Sequence, residues 1–179
     1  MKLRTGMAFA LMLLLIAGSV VFGAYKGWSK EKAPVEETLA GLESMLQTRV
    51  ESAYNVLAVA KRHVPQTDEA YKKVDEDRAR LEKASSTLEE KAAANEDLAR
   101  DAAALLEILK NTDSVQADAR DKMYVESYLP QMLAQSEEKT VGAAYNQAAA
   151  EFNERINNSF SGWIARLLGV KPAQEFIVK

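Results

Sequence analysis

A lone histidine, His63, and the acidic run Asp75-Glu76-Asp77 are the first places to look for chemistry in this sequence. A catalytic base needs a nucleophile or an orienting group within hydrogen-bond reach, and a metal site needs several ligands. His63 stands two residues before Pro65, and its acidic neighbours Asp68 and Glu69 make only a generic pair. It is expected to be an exposed helix-terminal residue that interacts with the helix dipole. Residues 66–110 carry twelve Asp or Glu against eight Lys or Arg. Lacking the loop that calcium sites use, this excess reads as a solvated surface. There is no Gly-rich phosphate loop and no nucleophile motif. The chain is therefore expected to be non-enzymatic, with no cofactor and no metal.

A second pattern is polar without being reactive. Tyr145-Asn146 is followed seven residues later by Phe152-Asn153. On a helix the two aromatics fall on the centre of an apolar stripe and the two amides on its edge. Such amides serve either as a surface for a partner or as bonds to a neighbouring helix that fix register. The second role is expected. Arg49, Arg78 and Asn95 fall on apolar seams, where a buried guanidinium needs acceptors. Asn and Gln carbonyls or Glu51 would supply them, in one network.

The elements that position these residues are helices. The chain has 179 residues, with only 8 Gly and 4 Pro, which favours long helices over strands and turns. A formal charge of −3 argues against a nucleic-acid partner. The absence of cysteine excludes disulfides and thiolate metal sites. After a short charged N-terminus at 1–4, residues 5–25 contain no charge at all. As a helix they would span roughly 30 Å, the thickness of a bilayer's hydrocarbon core, and a retained transmembrane anchor is expected. The alternative is a signal peptide cut near Val21-Phe22-Gly23. A polar linker at 26–33 then leads to a helical domain at 34–179.

Within that domain Val35, Leu39, Leu42, Leu46, Arg49, Ala53, Val56, Ala60 and His63 alternate steps of four and three, a coiled-coil-like seam ended by Pro65. A second seam runs from Tyr71 through Val74, Arg78, Leu81, Ser85, Leu88, Ala92, Asn95, Ala99, Ala102 and Leu106 to Leu109, which predicts one unbroken helix. A third stretch, 117–160, carries Val141, Tyr145, Ala149, Phe152 and Ile156 on one stripe and is predicted to kink or restart at Pro130. The tail from Ser161 predicts a short amphipathic helix closed by Gly169 and Pro172, with Phe176-Ile177-Val178 beyond. The expected fold class is all-α: an elongated antiparallel bundle of three long helices plus a short C-terminal helix, behind a transmembrane helix.

These residues resemble the LemA family. Tyr145-Asn146, Phe152-Asn153 and Ile156 keep the spacing of the family's YN-x5-YN-x2-I, and Ile164-Ala165, Leu167, Gly169 and Phe176 that of its C-terminal ending. Arg49 and Asn55 fit the family's R-x-D-L-I-P-N-L, with Glu51 for the Asp and Tyr54 for the Pro. Gly142 stands where the family usually has Arg, and Phe160 where a Pro is normal near the end of the long helix. The resemblance is to a divergent member and covers essentially the whole chain. It implies a helical bundle carried by an N-terminal membrane helix, and no particular reaction. The expected function is a scaffold or adaptor at the membrane, with an unidentified protein partner or self-association; the alternative is a ligand-sensing bundle. The expected location is a bacterial inner membrane, single-pass, with the bundle outside the cytoplasm.

Overall fold

The computed structural model describes the backbone of residues 2–134 and 138–177, and the side chains of 7–134 and 140–177. Every regular element in it is helical, and no strand occurs among the described residues. The all-α class is as expected. The chain divides into two compact units. An anchor unit comprises Met1–Thr38 and Asn146–Gln174, and a core unit comprises Leu39–Tyr145 and Glu175–Lys179.

In the anchor unit, α1 (Lys2–Glu31) carries the uncharged stretch, and its side chains from Met7 to Phe22 are exposed. It is long and apolar enough to cross a membrane. The segment expected as a linker is helical instead. Lys26 to Glu31 belong to α1, and α2 (Ala33–Ala60) begins after Lys32. Backbone bonds from Lys32 N to Trp28 O and from Glu36 N to Lys32 O, both 3.1 Å, bridge the junction. Pro34 fits because a first helical turn needs no donor from it. The helices α8 (Glu138–Asn157) and α9 (Phe160–Leu167) come late in the chain, and α9 packs on α1. Ser159 caps α9 by accepting from Gly162 N at 3.0 Å. A Schellman motif closes it: Val170 N bonds Ala165 O at 3.0 Å, and Gly169 takes the left-handed φ of 94°.

In the core unit, Leu42, Leu46, Arg49, Ala53, Val56 and Ala60 are buried in the expected register. Val50, Ser52, Leu57 and Val59 are buried too, so the covered stripe is broader than a two-stranded seam and suits a bundle. The single helix predicted over Tyr71–Leu109 is a hairpin instead, α3 (Glu69–Glu82) and α4 (Leu88–Lys110), whose arms pack together. Ser85, counted as a seam position, is an exposed turn residue. The break has a local cause. Thr87 Oγ1 accepts from Glu90 N at 3.2 Å while Glu90 Oε2 accepts from Thr87 N at 2.8 Å, a reciprocal capping box that starts a new helix. Arg80 ties the arms by donating to Asp77 Oδ1 at 2.8 Å and Asp97 Oδ2 at 3.0 Å.

The third stretch is also divided. It comprises α5 (Asp113–Ala117), α6 (Ala119–Met123), a π-helical turn (Tyr124–Tyr128), α7 (Leu129–Ala134) and then α8. Pro130 accounts for the π turn. It lacks a donor for the Glu126 carbonyl, and its ring crowds that group. Leu129 N reaches back five residues to Tyr124 O, widening the turn, and a new helix restarts with Pro130 in its first turn. Thus α2, α4 and α8 are the long helices of the domain, at 28, 23 and 20 residues.

The capping box makes the hairpin testable. Thr87→Ala should cost about 1 kcal/mol in urea denaturation, and Thr87→Ser should restore most of it. An Ala variant as stable as the parent chain would show that the turn is set elsewhere.

Candidate functional site

Asn153, in the second aromatic and amide pair of α8, meets the C-terminal tail. Pro172 prevents the tail from continuing as helix, and residues 171–177 have no regular structure. A side-chain amide carries one donor and one acceptor edge, as a peptide group does. Asn153 uses both: Nδ2 donates to Ala173 O at 2.9 Å, and Oδ1 accepts from Ala173 N at 2.7 Å. The amide therefore holds the non-helical backbone of the tail, not the neighbouring helix expected for it. Phe152, buried one step round, meets the Trp28 ring edge-on with centroids 6.0 Å apart. Asn146 is half-buried.

In the core unit Tyr145 is buried, and burial, with the Glu175 charge adding to it, raises its phenol above the ordinary range. Phe176 is buried as well, with ring carbons 3.3 and 3.6 Å from where a side chain on Gly142 would begin. Gly142 thus lets the Phe176 ring pack close against α8. Val178, the last apolar residue of the predicted tail cluster, lies outside the described residues.

Of the seam polar residues, Arg49 and Asn95 are buried and Arg78 is half-buried. Arg49 is buried and donates from Nη1 to Leu133 O at 2.7 Å. Asn95 is fully buried in α4. Glu51, offered as an acceptor, instead takes a bond from Gln47 at 3.4 Å. Arg78 belongs to a different cluster. It lies over the Tyr54 ring, 4.3 Å from its centroid, and donates to Tyr54 Oη at 2.6 Å and to Asp75 and Glu82 at 2.7 Å each. Tyr54 in turn donates to Glu82 at 3.2 Å. The residue standing where the family has Pro is therefore the platform that binds α3 to α2. Asn55 is exposed.

A cluster that the sequence reading missed surrounds His63. Its side chain is only 7% exposed, which corrects the expectation of a solvated helix-end histidine. Nε2 lies 2.8 Å from Asp121 Oδ2 and Nδ1 lies 2.9 Å from Ser114 Oγ. Arg62 donates to both oxygens of Asp121, at 2.6 and 2.8 Å. The seam register itself was the signal, since His63 continues the alternation that buries Ala60. The order Ser–His–Asp superficially resembles an acyl-transfer relay. In such a relay an unneutralised carboxylate stabilises the imidazolium. Here Arg62 also pairs with the carboxylate, and these bonds fasten the end of α2 to α5 and α6.

The clamp has a pH signature. The Arg62 bonds, with smaller help from His63, hold the Asp121 carboxyl down to about 2. A depressed carboxylate stabilises the fold fully above its ordinary pKa, and that contribution is lost as pH falls from about 4 toward about 2. Because Arg62 is half-exposed, the expected contribution is on the order of 1 kcal/mol. The stability difference between the parent chain and Asp121→Asn, from urea midpoints, should shrink by that amount over this window. A constant difference would refute the clamp. In the tail, Asn153→Ala should cost about 1 to 2 kcal/mol and speed hydrogen exchange at the Ala173 amide. An unchanged exchange rate would mean that the tail is held by other contacts.

No curated protein matches the chain. The family model described as LemA family matches residues 38–179, from the first turns of α2 to the C-terminus, which takes in the α2 seam, the α8 pairs and the tail. The chain belongs to the LemA family.

Proposed function

We propose that this is a membrane-anchored, non-enzymatic helical protein that serves as a scaffold or adaptor for other proteins at the membrane surface. The observation that carries the reading is α1. Its apolar side chains from Met7 to Phe22 are exposed, and its hydrogen-bonded backbone continues across Lys32 into α2. Two features of the core unit support a structural role. Leu42, Ala53, Val56, Val74, Leu98, Leu105 and Leu109 are completely buried, a core filled by the chain's own side chains. Its most elaborate polar groups, on Asp121 and Arg78, are occupied in tying helices together. The proposed location is a bacterial inner membrane, with the domain on its outer side, as the family resemblance suggests.

In-cell crosslinking of the full-length chain, followed by mild-detergent purification, should return a reproducible partner in near-stoichiometric amount. Recovery of the chain alone at every crosslinker concentration would contradict the adaptor role.

A further inference from the structure

Helix α9 is turned the wrong way for a helix whose outer surface meets water. A helix packed on a protein normally buries its large apolar residues and shows small or polar ones. Here Gly162 and Ala165 are buried, and Gly162 approaches the Ile156 carbonyl too closely for a side chain. The outward edge holds Phe160, Trp163 and Leu167, which are 76%, 51% and 68% exposed. Phe160 and Trp163 stack on one another, with centroids 5.9 Å apart, so the edge is a preformed aromatic surface.

Its position along α1 identifies the occupant. Trp28 Nε1 donates to Ser161 Oγ at 3.3 Å, which fixes α9 beside the end of α1. Trp28 lies three residues past Tyr25, the last of the uncharged stretch, or about 4.5 Å further along the helix. A headgroup layer is about 5–7 Å deep on each side of the hydrocarbon. From that level a cleft of about 780 Å³ runs down between α1 and α9, with Val20, Gly23 and Gly27 on one wall and Ile164 and Phe160 on the other. The aromatic edge is thus continuous with the uncovered apolar surface of α1. The charges nearby are mainly basic: Lys26 and Lys30 on α1, Arg166 on α9, and Arg155, which pairs with Glu31 at 2.9 Å. Aromatic rings with flanking cations are the composition of a membrane interface.

We propose that α9 lies in the headgroup layer of the bilayer that α1 crosses, with Phe160, Trp163 and Leu167 at the acyl boundary and a phospholipid in the α1–α9 cleft. The proposal rests on the anchor reading of α1 and adds a second, peripheral point of membrane contact. It also gives a role to Phe160, the aromatic standing where the family normally has Pro.

The chain contains no cysteine, so single substitutions can carry a spin label without background. Phe160→Cys and Leu167→Cys would be labelled in the full-length chain in phosphatidylethanolamine–phosphatidylglycerol vesicles, with Phe9→Cys marking the anchor and Ile108→Cys the exposed surface of the core unit. Relaxation by oxygen, which partitions into lipid, is compared with relaxation by a water-soluble nickel chelate. The expected oxygen-to-nickel ratio at both α9 sites is several-fold above that at Ile108 and approaches that at Phe9. Ratios equal to that at Ile108, with Phe9 still lipid-exposed, would overturn the α9 proposal alone. Labels shielded from both reagents would mean that protein covers the edge, and would overturn it too. A water-exposed Phe9 would overturn the anchor reading as well.

Discussion

The uncovered apolar surface of α1 is the constraint on which the rest depends. Its backbone groups are satisfied within the helix, so the segment is self-sufficient in hydrocarbon. Its side chains between Met7 and Phe22 have no protein to pack on, which in water would leave a large apolar surface uncompensated. The proposed bilayer would answer both facts at once. In the same proposal it sets the level of the elements beside the anchor. Trp28, one turn past the apolar stretch, receives Ser161 and Phe152 and seats the end of α8 and all of α9 against α1.

Within each unit, polar side chains are used as fasteners. Asn153 binds a peptide group by mimicking one. Arg62, His63 and Asp121 fasten the end of α2, and Arg78 on Tyr54 joins α3 to α2. Each places a donor opposite an acceptor where an unmatched group would be costly. The proposed scaffold role would use the surfaces these fastened helices hold up.

Much of this was legible in the sequence, for physical reasons that also explain the failures. The α2 register could be read because one continuous helix buries one stripe, and the four-three alternation records that directly. The same rule misled at Ser85, where a small polar residue was accepted as a seam position. The capping pair Thr87 and Glu90 was visible in the sequence and outweighs one position of periodicity. The π turn before Pro130 arises from local crowding, which hydrophobic spacing does not encode. The seven-residue spacing of the amides correctly placed them on one edge of α8. It could not show that Asn153 meets non-helical backbone twenty residues later, because tail contacts leave no periodic trace. His63 was misjudged by its nearness to Pro65, although its register already placed it inside.

The most direct test of the anchored arrangement is the intact mass of the protein recovered from alkaline-washed membranes. The chain is predicted to stay in the membrane pellet with residues 1–25 present. A soluble chain shortened near Val21-Phe22-Gly23 would contradict that arrangement, since α1 would then be an export signal and the domain would stand without an anchor.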